Sequence, residues 1–152
     1  MKLQSIYIDT SVIGGVFDEE FEIHSKLFFD RVIKGEFKII ISDILEQELE
    51  KAPDKVLSFY ASIPEEAIMR VELNELADSL AEEYLRSKVV GATSRADCQH
   101  IALATLVGAD ILVSWNFKHI VNINRIRGYN SVNLMNGYRA LEIRNPRELI
   151  GI

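Results

Sequence analysis

Asp9, Glu48 and Asp97 are acids set in apolar surroundings. Asp9 ends the run Ile6-Tyr7-Ile8, Glu48 lies in the stretch that follows Phe37 to Ile41, and Asp97 opens a helical pattern over residues 94–107. A carboxylate beside a buried strand is costly unless donors or a cation compensate it. Three of them converging at about 5 Å repel pairwise by roughly 3 kcal/mol at an effective dielectric near 20. Divalent cations relieve such repulsion, and hard oxygen donors favour Mg²⁺ or Mn²⁺. The chemistry this set would support is metal-dependent hydrolysis.

Each acid also has a structural reading. Asp9 is placed to cap the turn Thr10-Ser11-Val12. Ser94-Arg95-Ala96-Asp97 fits a capping box with Asp97 at its third helical position. Yet Asp97 shares its face with Ile101, Ala104 and Gly108, residues suited to close packing on a sheet. Glu48 is separated from its neighbours by helix phase. At about 100° per residue it falls among Ile44, Leu45 and Ala52, while Glu46 and Glu50 fall on the opposite side. Glu48 is therefore expected to project from the apolar stripe toward the sheet. His100 and His119 read as core or supporting histidines, Cys98 as a packing residue, and Asp110 as a turn residue at the wrong strand end.

The elements that must position these acids alternate short apolar runs with amphipathic stretches, the pattern of a parallel sheet covered by helices. Strands are predicted at 5–9, 37–41 and 111–113, with a weaker one at 140–143. The clearest helix covers 73–85, with Leu73, Leu76, Ala77, Leu80, Ala81 and Tyr84 as its apolar stripe and Glu75, Asp78 and Glu82 on a solvated face. Each strong strand runs into polar residues: Asp9-Thr10-Ser11, Ser42-Asp43 and Ser114-Trp115-Asn116. In open α/β sheets the ligand crevice lies at the carboxyl ends of the strands.

With 48% hydrophobic and 26% charged residues the chain has the composition of a globular protein, and neither repeats nor linkers divide it. One domain over residues 1–152 is expected. No apolar run approaches the length of a membrane span, no signal-peptide pattern opens the chain, and a lone cysteine supports no internal disulfide. A cytoplasmic protein without membrane contact is the expectation. Net charge is −6, unevenly spread. Residues 111–152 carry six basic residues against two acidic ones, a basic quarter that suits a phosphate backbone as well as a solvated surface. The segment 132–152 mixes apolar residues such as Leu134, Met135, Leu141 and Ile143 with arginines, which suggests self-association.

The chain also resembles the PIN-domain nucleases, in particular VapC-like members. The resemblance rests on Tyr7-Ile8-Asp9-Thr10-Ser11, on Ile41-Ser42 followed by Glu48-Leu49, on Ala96-Asp97-Cys98-Gln99-His100-Ile101-Ala102-Leu103-Ala104, and on Ala109-Asp110-Ile111-Leu112-Val113-Ser114-Trp115-Asn116. The four blocks occur in order across nearly the whole chain. The resemblance implies a three-layer α/β/α sandwich with a central, mostly parallel sheet. It further implies Mg²⁺- or Mn²⁺-dependent hydrolysis of RNA, usually single-stranded. Asp9, Glu48 and Asp97 are then catalytic metal ligands, and Asn116, where the family commonly has a fourth acid, is a further metal ligand that keeps an oxygen donor but loses a charge. Ser11, Ser114 and Asn116 become polar supports, and a second metal is expected to bind weakly. A toxin role with an antitoxin partner and a homodimeric state are further expectations. The competing reading is a PIN-like module of little or no turnover that acts by binding RNA or protein. An aspartyl phosphatase is disfavoured, because Thr10, Ser11 and Val12 place no second acid after Asp9.

Overall fold

The runs Ile6-Tyr7-Ile8, Ile39-Ile40-Ile41 and Ile111-Leu112-Val113 are buried throughout, as parallel strands covered on both faces require. In the computed structural model, which describes residues 2–151, they form the centres of β1 (Gln4–Ile8), β2 (Phe37–Ser42) and β4 (Ile111–Val113). β3 (Ile68–Val71) and β5 (Ile143–Arg144) complete a sheet of order β3-β2-β1-β4-β5 in which every pairing is parallel. β1 is central, with Ile6 opposite Ile39 on one side and Ile111 on the other.

Among the described residues eight α-helices cover the two faces: α1 (Thr10–Gly14), α2 (Glu22–Ile33), α3 (Asp43–Leu49), α4 (Asp54–Ser62), α5 (Glu75–Arg86), α6 (Arg95–Val107), α7 (Ile123–Met135) and α8 (Pro146–Ile150). The alternation of side chains along each strand divides the core in two. Ile6, Ile8, Ile39, Ile41 and Val113 pack with Phe28, Phe29, Val32 and Leu45 from α2 and α3. Tyr7, Ile40 and Leu112 face the other way, onto Leu80, Tyr84, Ile101 and Tyr129 from α5, α6 and α7. This is the expected three-layer sandwich, with a sheet that is wholly parallel. Among the described residues no helix is long and apolar enough to cross a membrane.

Three local features depart from the sequence reading. β3 was not anticipated: as an edge strand it is only half-buried and carries Met69 and Arg70, so it lacks the continuous apolar run of a central strand. The clearest helix starts at Glu75, capped by the Asn74 side chain accepting from the Ala77 amide at 2.9 Å, and Leu76 lies 66% exposed outside the core. Its acidic face is also engaged, because Asp78 and Glu82 receive Arg95 and Asp78 receives Gln99 at the start of α6. Asp110 does lie at the amino end of the sheet, where it accepts from the Ser5 amide at 2.7 Å and ties β4 to β1.

Candidate active site

The register Ile8↔Val113 sets the residues after β1 and β4 side by side at the carboxyl edge of the sheet. Asp9 therefore meets Ser114. The Ser114 hydroxyl donates to Asp9 Oδ2 and the Ser11 hydroxyl to Oδ1, both at 2.6 Å. The two serines are themselves held by the main chain, Ser11 Oγ accepting the Trp115 N–H and Ser114 Oγ the Asn116 N–H, each at 2.9 Å. Each hydroxyl thus has one proton to give, and gives it to Asp9. Asp9 is 5% exposed. It occupies the cap position of α1 without making a side-chain cap, since both oxygens are turned to the serines. Burial pushes its carboxyl above the usual range against the opposing pull of His100 and the two hydroxyls, with Asp97 raising it further.

Asp97 reaches this edge from the first turn of α6. Ser94 caps that helix, accepting from the Asp97 amide at 3.1 Å, while the Asp97 carboxylate is directed at Asn116, whose Nδ2 stands 3.5 Å away. The Asn116 amide cannot be read the other way round. Its Oδ1 accepts the His119 N–H at 2.9 Å, and a backbone donor requires the oxygen there. Asn116 therefore presents a donor to Asp97, where an oxygen donor was expected from sequence.

Glu48 stands apart from this pair. Its Oε1 accepts from Thr10 Oγ1 and pairs with His100 Nε2, both at 3.0 Å. His100 is buried, and its Nδ1 lies 2.7 Å from the Tyr7 hydroxyl. An ionised Glu48 calls for the proton on Nε2, leaving Nδ1 to accept from Tyr7 in the neutral ring. The His100 hydrogen bond is the chief reason the Glu48 carboxyl sits below its usual range, and burial opposes it. Burial likewise holds the Tyr7 hydroxyl well above its usual range, so Tyr7 remains a donor.

Helix phase did separate Glu48 from Glu46, but the depth expected for Glu48 is corrected. Its side chain is 41% exposed. α3 ends at Leu49, so Glu48 belongs to the last turn, at the rim of the sheet and not beneath it. Glu46 is bound elsewhere, accepting from the Tyr60 hydroxyl at 2.7 Å and facing Arg70 at 3.6 Å. Thr10 and the Tyr7–His100 link were not singled out as partners of Glu48. The available signal was the position of His100 three residues after Asp97, on the same helix face.

The structure thus brings Asp9, Asp97, Ser11, Ser114 and Asn116 into one group, with Glu48 on the neighbouring wall. Among the described residues no three His, Cys, Asp or Glu side chains are arranged to hold one ion. Asp9 and Asp97 are the two carboxylates of the group. Asp9 is buried with only hydroxyl donors on its oxygens, next to Asp97, a hard and electron-rich pair. Mg²⁺ keeps several waters and needs only one or two protein carboxylates. The residues fit a hydrated hard cation on Asp9 and Asp97, and do not form a three-carboxylate cage.

No protein family model matches the chain, and no curated protein matches it in sequence. Solved structures do match. DNA-bound VapBC from Salmonella typhimurium aligns with a TM-score of 0.60 over 95% of this chain and 99% of the matched chain, at 15% identity. VapBC2 from Rickettsia felis, bound to a DNA fragment from its promoter, gives 0.59 over 93% and 98% at 15% identity. VapC20 from Mycobacterium tuberculosis, a sarcin-ricin loop cleaving toxin, gives 0.58 over 75% and 92% at 14% identity. This chain has a VapC-like PIN-domain fold. Within that PIN fold the carboxyl edge of β1 and β4 is where its acids gather, and the low identities make the likeness one of architecture.

Proposed function

We propose that this PIN-fold protein is a metal-dependent endoribonuclease that hydrolyses phosphodiester bonds of single-stranded RNA. The observation that carries the reading is Asp9. This carboxylate is deeply buried and cradled by two serines beside Asp97 at the carboxyl edge of the central strand, and it does not cap the helix it precedes. Buried ionisable groups with perturbed acidity at a sheet's functional edge mark sites. The VapC-like fold supports the same class of activity.

Asp9 and Asp97 would hold Mg²⁺ or Mn²⁺, which when bound stabilises charge on the phosphoryl oxygens. Ser11 and Ser114 keep both Asp9 oxygens oriented. Glu48 has one oxygen committed to Thr10 and His100, which leaves Oε2 to take a proton from the attacking water. That water forms the new P–O bond as the ester P–O bond breaks, and the leaving oxygen takes a proton from solvent. The Tyr7–His100 link fixes Glu48 in place.

The experiment is incubation of purified protein with mixed RNA, including structured tRNA, in Mn²⁺, Mg²⁺ or EDTA. Cleavage with metal, lost in EDTA and in Asp9→Asn and Asp97→Asn, is expected. Intact RNA under every metal condition sinks the reading. It would favour the second one, a PIN-like binding module of weak turnover, which the Asn116 amide facing Asp97 supports. Mn²⁺ titration separates them further, since a module without turnover has no need to bind the ion. We further propose a toxin role in the cytoplasm with a small antitoxin partner, encoded by a neighbouring gene, and a homodimer as the working state.

A further inference from the structure

Beside the candidate active site opens a cleft of about 460 Å³ whose lining is aromatic and acidic and contains no lysine or arginine. Ser11 and Asn116 form the wall nearest the acids. Ser11 is also the donor to Asp9, so one hydroxyl separates the cleft from the buried carboxylate.

Trp115 builds the aromatic wall. Its indole stacks on Phe21 with centroids 4.3 Å apart and planes at 16°, and its Nε1–H donates to Ser25 at 2.9 Å. Gly15 permits this seat, because a Cβ there would fall 2.7 Å from the indole nitrogen and 2.6 Å from Ser25 Oγ. Phe117 extends the group outward, its centroid 6.1 Å from that of Phe21, and remains 44% exposed. Phe21 and Trp115 thus line the cleft as a stacked pair, and Phe117, outside the lining, is the exposed end of the aromatic group. Asp18 also lines the cleft and accepts the Glu20 N–H on Oδ1 at 2.8 Å, leaving Oδ2 and a second lone pair of Oδ1 to accept from a ligand.

We propose that this cleft is a nucleobase subsite, taking one unpaired guanine of the substrate next to the bond that is cut; the proposal rests on the ribonuclease reading above. A volume of this order lies within the roughly 300–1,000 Å³ of small-ligand sites. Without a cation in its lining the cleft does not attract a phosphate, whereas an aromatic surface accepts the face of any base. Asp18 supplies the selection. The Watson–Crick edge of guanine carries two adjacent N–H donors, which match a carboxylate. Adenine and cytosine set an acceptor nitrogen beside their amino group, and uracil flanks its one N–H with carbonyls, so each places an acceptor against the acid.

The chain has one tryptophan, Trp115, so its emission reports occupancy without any turnover. Wild-type protein in EDTA is titrated with GMP, AMP, CMP and UMP. GMP is expected to change the emission at the lowest concentration. Phe21→Ala, which removes a ring that lines the cleft, should weaken that response about tenfold, the loss of one stacking contact. Asp18→Asn keeps an oxygen for the Glu20 amide but turns the second position into a donor, and should abolish the preference for GMP. In cleavage maps the same variant should lose guanine at the cut sites. No emission change with any nucleotide, or an equal change with all of them, overturns the proposal, as does an unaltered GMP preference in Asp18→Asn. Cleavage of RNA by the wild type alongside any of those results leaves the ribonuclease reading standing and removes only the subsite. A selective GMP response from protein that cuts no RNA under any metal condition does the reverse.

Discussion

At the scale of single residues, Asp9 and Asn116 carry the sharpest consequences. Because burial raises the Asp9 carboxyl in the fold, the native state binds that proton more tightly than the unfolded chain does. The stabilisation is present in full below the ordinary carboxylate range and is lost as pH rises through the raised value. Glu48, lowered chiefly by His100, has the opposite sign: its contribution is present above the ordinary value and is lost as pH falls. Thermal unfolding in EDTA across this pH range should therefore show Asp9→Asn protein losing less stability than wild type on the alkaline side. Equal slopes for the two proteins would place the Asp9 effect elsewhere. Asn116→Asp keeps an oxygen for the His119 amide but turns the donor facing Asp97 into a second carboxylate oxygen. Raw repulsion at such distances is about 4 kcal/mol at an effective dielectric near 20, and solvent at this half-buried edge reduces it to about 1 kcal/mol. The metal-free variant should melt about 2–4 °C lower and bind Mn²⁺ more tightly, which calorimetry on both proteins would measure.

At the scale of elements, α3 and α6 divide the labour. α6 places Asp97 and His100 one turn apart, so a single helix supplies a carboxylate to Asp9's group and the ring that holds Glu48. α3 is only seven residues long, yet its phase sends Glu46 and Glu48 to different tasks. Glu46→Gln should cost about 0.5–1 kcal/mol of stability by weakening its contacts with Tyr60 and Arg70, with cleavage nearly unchanged. Glu48→Gln should cut activity severely and leave the melting temperature close to wild type. Paired activity and unfolding measurements decide the division, and equal losses of activity in both variants would contradict it.

At the scale of the whole molecule, the C-terminal quarter turns out to be two things. Leu141 and Ile143 are core residues, and part of the basic excess is engaged inside the chain, Arg144 with Glu142 and Arg125 with the Val90 carbonyl. What remains outward is the end of α7, where Leu134 and the 85% exposed Met135 face solvent. If the proposed homodimer forms through this end, sedimentation should show a dimer in the wild type and a monomer in the Leu134→Glu, Met135→Glu double variant. A wild-type monomer would reject the dimer, and a dimer persisting in the double variant would move the contact elsewhere.

The sequence by itself determined the layered α/β/α architecture, because central parallel strands must be apolar on both faces and such runs are visible in one dimension. It also determined which strand ends carry Asp9, Ser114 and Asn116, since those residues directly follow the runs. The phase that parts Glu48 from Glu46 was equally legible, being a local property of any helix. Edge strand β3 was not, because half-burial erases the apolar signature. Only the tertiary structure decided that Asp9 is cradled by two serines 103 residues apart in the chain. It alone decided that Tyr7, from a strand, steadies Glu48 through a histidine on α6, and that the Asn116 amide turns its nitrogen to Asp97. Each of these depends on which atoms meet where β1, β4, α3 and α6 converge. Hydrogen bonds between distant residues leave no periodicity in a sequence, and only the packed sheet brings their partners within reach.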